Sequence, residues 1–232
     1  LCGCRTLPGL FFVYFKSICL LLQKAYFMSS KEILKPMLSK TKRAERLYTL
    51  EEYVRKEAHT TDKHEFTNGK ISKMPYAKGP HNIIAANMIA TLSAALEQLP
   101  DRYIIFSSDQ KIYFPSLHQG VYADALAVCD TPQYWDDEKL LLINPLLVVE
   151  VLSKSTAKYD RNGKFDKYKT LDSLREYVLV RQDEYYAEAW FRERPGLWHE
   201  SIVTALEAEL PLKSLGIHLS MQRIYRNVSF IK

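Results

Sequence analysis

The run Leu146-Leu-Val-Val-Glu-Val-Leu152 constrains this 232-residue chain more than any other segment. Side chains alternate along a strand, so Glu150 shares a face with Leu146, Val148 and Leu152, and both faces are otherwise apolar. A strand of that kind belongs in a sheet covered on both sides. A carboxylate there is costly unless it is paired, hydrogen-bonded or bound to a metal. The segment Val121–Cys129, read as one strand, repeats the pattern: Asp124 lies on the face of Tyr122, Leu126 and Val128. Two such acids suggest a carboxylate pair across a sheet. The plainer alternative puts each at a strand end, hydrogen-bonded to a loop.

A lysine follows them. The pattern over 162–172 reads as a helix, and at about 100° per residue Phe165, Tyr168 and Leu171 form one apolar stripe. Lys164 falls inside that stripe, while Lys167 lies on its polar flank. Lysine seldom sits on a buried face without an acidic partner. Asp160 and the acid of the preceding strand are candidates, and a snorkelling side chain with its ammonium in solvent is the alternative.

The remaining pattern supplies the cover. Thr49-Leu-Glu-Glu52 has capping-box spacing and predicts a helix to Ala58. His64-Glu-Phe and Ile71-Ser-Lys-Met predict a hairpin across Asn68-Gly69. Ile84, Met88, Leu92, Leu96 and Leu99 recur at helical period within 81–99. Strands are expected at 103–107, 110–114, 121–129, 146–152, 176–181, 185–193 and 197–204, with a loop at 132–139 and a terminal helix after Ser220. This order is α/β: a mixed central sheet flanked by helices, with added hairpins. Residues 46–232 read as a single domain.

Composition excludes several classes. With 8 Gly, 10 Pro and 4 Cys, and 47% hydrophobic residues, the chain is no collagen, disulfide scaffold or disordered polar tract. The net charge of +5 is local: residues 1–45 hold eight Lys/Arg against Glu32 and Glu45, leaving 24 basic and 25 acidic residues in 46–232. Leu10–Leu22 is apolar but interrupted by Lys16 and shorter than a spanning helix, so stable membrane insertion is not expected. Residues 1–27 are expected to be upstream sequence, with Met28 the natural start; a weak membrane-surface anchor is the competing reading. Cys2, Cys4 and Cys19 fall in this leader and only Cys129 in the body, which favours a reducing, cytoplasmic setting.

At Asp124, Glu150 and Lys164 the sequence resembles the PD-(D/E)XK nuclease superfamily, and more closely its Uma-type putative restriction endonuclease family, a bacterial domain of unknown function. The matching stretches are His64-Glu-Phe-Thr-Asn-Gly-Lys, His81, Tyr122-Ala-Asp124-Ala-Leu-Ala-Val-Cys-Asp, Leu147-Val-Val-Glu-Val-Leu-Ser-Lys-Ser-Thr156, Asp160-Arg-Asn-Gly-Lys164-Phe-Asp-Lys-Tyr and Arg175-Glu-Tyr-Val-Leu-Val. Ala123 stands where the family usually has Pro, and Ser-Lys-Ser replaces Ser-Pro-Ser. Leu152 occupies the superfamily's lysine slot, so the resemblance implies a lysine moved to the helix, where the stripe places Lys164. It also implies a restriction-endonuclease-like αβββαβ core.

The implied activity is metal-dependent hydrolysis of phosphodiester bonds in DNA, with RNA open. Asp124 and Glu150 would hold Mg²⁺, with Mn²⁺ able to substitute, and Glu65 would complete or bridge the metal shell. Lys164 would orient water or stabilise the developing oxyanion; burial could lower its pKa. His81 would contact phosphate or stand behind a carboxylate, and Asp160 would orient Lys164 rather than bind metal; a helix cap for His81 and an ordinary hairpin role for Glu65 stay open. Lys154, Lys158, Arg161 and Lys167 form a basic patch suited to phosphates, or else a solvated helix face. Nucleases that cut duplexes often pair, so a homodimer is an open expectation. Two other classes compete: a catalytically inactive nuclease fold serving as a nucleic-acid-binding or interaction module, and a structural protein in which Lys164 merely neutralises Glu150.

Overall fold

The computed structural model describes residues 46–153 and 156–230; the leader and Lys154 lie outside them. In chain order the elements are α1 (Leu50–Ala58), β1 (His64–Thr67), β2 (Lys70–Lys73), α2 (Gly79–Leu96), β3 (Tyr103–Ser107), β4 (Lys111–Phe114), β5 (Gln119–Tyr122), β6 (Ala125–Cys129), β7 (Leu141–Leu142) and β8 (Leu147–Leu152). A π-helical turn (Tyr159–Lys164) runs straight into α3 (Phe165–Tyr168). Then come β9 (Glu176–Arg181), β10 (Ala187–Arg194), β11 (Leu197–Val203), β12 (Glu209–Leu212), β13 (Ile217–Ser220) and α4 (Met221–Ile224).

Local chemistry sets the first elements. Thr49 accepts the Glu52 amide, and the Glu52 carboxylate accepts the Thr49 amide, so the capping box closes α1. Asn68 and Gly69 both take positive φ, 49° and 79°, as a two-residue turn between right-twisted strands requires. The long helix starts at Gly79 rather than 81, because Pro80 fits the first turn, where its missing N–H costs nothing.

The strands form two larger sheets and a hairpin. Order β2-β1-β5-β4-β7 makes a five-stranded sheet, and β11-β10-β9-β8-β6-β3 a six-stranded one; β12 and β13 pair separately. Within the larger sheet only β8 and β9 run parallel, as the connection through the π-turn and α3 demands. The expected single strand 121–129 is therefore corrected. The chain leaves the first sheet at Tyr122, turns through Ala123-Asp124, and enters the second at Ala125. The expected helix at 162–172 is also shorter, and its first turn is π-helical and begins at Tyr159. The β12–β13 hairpin had no counterpart in the sequence pattern.

Strand β8 is buried at all six positions, as its apolar run requires. Leu147, Val149 and Val151 pack with Ile84, Met88 and Leu92 of α2. Val148 and Leu152 face the other way, into a core shared by Ile112, Phe114 and Val121 of the first sheet and by Phe165, Tyr168 and Tyr177. Glu150 belongs to this second face. It sits where the two sheets and the π-turn meet.

Candidate active site

The charged residues in this junction are held by backbone geometry. At the sheet crossing, the Asp124 amide donates to the Val149 carbonyl at 3.1 Å. The Asp124 carboxylate then reaches over the end of β6: Oδ2 accepts the Val151 amide at 2.6 Å, and Oδ1 meets His81 Nε2 at 2.8 Å. Asp124 thus stands at a strand end, as the plainer alternative has it, but its partners are a strand amide and a helix histidine rather than a loop. It still borders Glu150, one residue from Val151. Both His81 and Asp124 keep some access to solvent, with side chains 16% and 17% exposed.

Glu150 is 4% exposed and Lys164 5%. The Lys164 ammonium lies 3.0 and 3.1 Å from the two Glu150 oxygens and donates to the Tyr122 carbonyl at 3.0 Å. Asp160 Oδ1 stands 3.6 Å away and Glu65 Oε1 3.9 Å. Tyr168 donates its hydroxyl to Glu150 at 2.8 Å. The snorkelling alternative fails: this lysine points inward and makes its bonds there.

Burial favours the uncharged form of each partner. For Lys164 that pull is outweighed by the carboxylates of Glu150, Asp160, Glu65 and Asp124, and its pKa is raised, not lowered as burial alone would have it. Burial pushes the Glu150 carboxyl above the ordinary carboxylate range, against the attraction of Lys164. Asp160 is pushed the same way by burial, with Lys164 and a Thr156 hydrogen bond opposing. The site therefore holds a stable cation among more acids than it can neutralise.

Contacts of Ser153 and Thr156 brace the entry to this geometry. The two hydroxyls lie 3.0 Å apart, the Thr156 amide donates to Ser153 Oγ, and the Asp160 amide donates to the Thr156 carbonyl. The wider π-helical turn puts Asp160 and Lys164 on one buried side, a geometry frequent at functional sites.

The other candidate residues are dispersed. Arg161 is exposed but already engaged: its guanidinium pairs with Glu188, which also accepts from Tyr186 and Trp190. Lys167 is half-buried and donates to the Tyr159 hydroxyl at 2.9 Å. Lys158 is exposed. Behind the site lies a second buried cluster that pattern reading missed. The Glu57 carboxylate meets His64 Nδ1 at 2.7 Å, the Tyr122 hydroxyl at 2.7 Å and Lys111 Nζ at 3.3 Å. The Tyr168 hydroxyl and the Tyr122 carbonyl were missed as well; tyrosine in an apolar stripe gives no sign of where its hydroxyl points.

Among the described residues no group of three or more His, Cys, Asp and Glu side chains is disposed to hold a metal alone. Magnesium does not need such a cage, since it is usually held by one or two carboxylates and keeps several waters. Asp124 and Glu150 are hard oxygen donors: both Asp124 oxygens and Glu150 Oε2 each meet one protein group and keep a lone pair, whereas Glu150 Oε1 meets both Lys164 and Tyr168. The donor set fits a hard divalent cation.

An acid pair and a lysine at the end of a mixed sheet, with a helix on one face, define a restriction-endonuclease-like fold. A family model described as "Putative restriction endonuclease", Uma2, matches residues 50–222, and the chain belongs to this family. Two Synechocystis proteins (strain ATCC 27184 / PCC 6803 / Kazusa), named uncharacterized proteins sll1609 and slr1290, are each 30% identical, over 172 and 182 residues. The alignments cover 74% and 78% of this chain and 96% and 92% of those proteins. A crystal structure of a putative nuclease belonging to DUF820 from Anabaena variabilis ATCC 29413 shares the fold: TM-score 0.60 at 18% identity, over 76% of this chain and 97% of that one. No helix among the described residues is long and apolar enough to cross a membrane.

Proposed function

We propose that residues 46–232 form an endonuclease domain that hydrolyses phosphodiester bonds of DNA with the help of Mg²⁺, for which Mn²⁺ substitutes. The observation that carries this reading is the meeting of Glu150, Lys164 and Asp124 at the junction of two sheets. Asp124 and Glu150 would hold the cation, with Glu65 completing its surroundings. Bound there, it would supply charge neutralisation on the scissile phosphate and a more acidic water.

The chain's own residues do the rest. Lys164 keeps its proton at neutral pH, so it serves as a fixed cation for charge developing on the phosphate rather than as a base. The Tyr122 carbonyl and Asp160 hold its ammonium in place. His81 and the Val151 amide each occupy one oxygen of Asp124 and fix its orientation. The exposed Lys158 would meet a flanking phosphate, and Lys154 is proposed for the same role. With Cys129 a free cysteine, a cytoplasmic setting is consistent.

One observation favours a second reading. Both Glu150 oxygens are contacted by Lys164, which is also what a structural ion pair would show. Incubation with supercoiled plasmid in Mn²⁺ separates the two. The nuclease reading expects nicking by the wild type and a loss of about a hundredfold or more in Asp124→Ala and Lys164→Ala, the scale on which removing one charge-stabilising donor acts. Residual cleavage unchanged in both variants, or none in the wild type, refutes it.

A further inference from the structure

Tyr159 opens the π-helical turn beside the carboxylates and has no role in holding them. Tyr159 keeps 38% exposure although Glu65, Asp160 and Lys164 lie near it. Lys167 Nζ lies 2.9 Å from its hydroxyl and 5.3 Å from the ring centroid, which puts the ammonium off the phenol tip and leaves the ring faces uncovered by it. Gly163 lies along the other edge. A Cβ built there would come within 2.8 Å of Tyr159 Cδ2 and 3.1 Å of Cε2. Gly163 does not take a positive φ, so its backbone does not call for glycine. Space for the ring does. The turn thus seats an aromatic ring in a set orientation with a cation at its tip, next to Glu65 and Lys164.

We infer that Tyr159 is a stacking platform for an unpaired base, so that the site accepts nucleic acid with single-stranded character at the point of cleavage. The inference rests on the nuclease reading and names its substrate class. An aromatic face accepts any base, and a nearby lysine can meet the adjoining phosphate. A paired base in intact duplex offers no free face to such a ring. Lys164, Asp124 and Glu150 would act on the neighbouring phosphodiester, while Tyr159 touches only the base.

Fluorescence anisotropy of the full chain in Ca²⁺, with a labelled oligodeoxynucleotide offered as a single strand and as a blunt duplex, tests this. Tyr159→Ala is expected to weaken single-strand binding roughly tenfold, the scale of one lost stacked base, and duplex binding at most about twofold. Tyr159→Trp should hold within about threefold of wild type. Gly163→Ala, which displaces the ring without removing it, should reproduce the selective loss, with melting curves establishing that each variant is folded. Equal losses on both forms, or none on the single strand, overturn the platform while leaving the nuclease reading intact. A wild type that binds neither form removes both.

Discussion

At the residue scale, the site depends on one buried cation facing several carboxylates. Removing a single partner from such a cluster leaves charge without compensation, which costs more than the pair contributes. Tyr168→Phe is the mildest probe. It keeps the ring, which packs against Tyr177 and Phe114, and deletes only the hydroxyl donated to Glu150. A loss of about 1–3 kcal/mol in urea unfolding is expected for a hydrogen bond to a buried carboxyl, and an unchanged midpoint would show that bond to be idle. Lys111 makes a pH prediction. Burial lowers its pKa from 10.5 to about 8, with Glu57 opposing. Between those values the unfolded chain binds more protons than the folded one, so stability rises with pH across the window and the penalty is fully present below about 8. Relative to Lys111→Met, the wild type should gain on the order of 2–3 kcal/mol from pH 8 to pH 10.5. A pH-independent difference would contradict the assignment.

At the scale of elements, legibility followed from how local the cause is. The capping box at Thr49 and the Asn68-Gly69 turn are written in adjacent residues, and both formed where the sequence put them. Strand β9 matched to the residue because its apolar run is bounded by turns. The break at Ala123-Asp124 was not legible: alternation continues through it, and only the choice of pairing partners, β1 and β4 before it and β3 and β8 after it, divides the strand. The π-turn was hidden for a related reason. A 100° wheel assumes regular α-helix, yet it still put Lys164 inward, because Phe165 and Tyr168 anchor the same side. Thr49→Ala tests the local link: loss of the cap should cost about 1 kcal/mol, read as a lower urea midpoint. No shift would mean that tertiary packing of Tyr53 alone holds α1.

At the scale of the whole molecule, the candidate site is a product of topology. Glu65 comes from the first sheet, Asp124 from the crossing, Glu150 from the second sheet, and Asp160 and Lys164 from the turn that returns the chain to β9. The sequence revealed the acids and the lysine through their misfit in apolar surroundings. It could not reveal that Arg161 is taken by Glu188 on β10, since that partner lies 27 residues away and faces it only in the folded chain. The basic patch is correspondingly thinner than the charge count suggested. On the proposed reading, the joint action of Asp124 and Glu150 on one cation would give this arrangement its chemical purpose. Manganese binding followed by electron paramagnetic resonance measures that directly. The account predicts saturable loss of the free Mn²⁺ signal with the wild type, and its abolition in both Asp124→Ala and Glu150→Ala with each variant still folded; binding that survives both substitutions, or a wild type that leaves the free signal untouched, would contradict it.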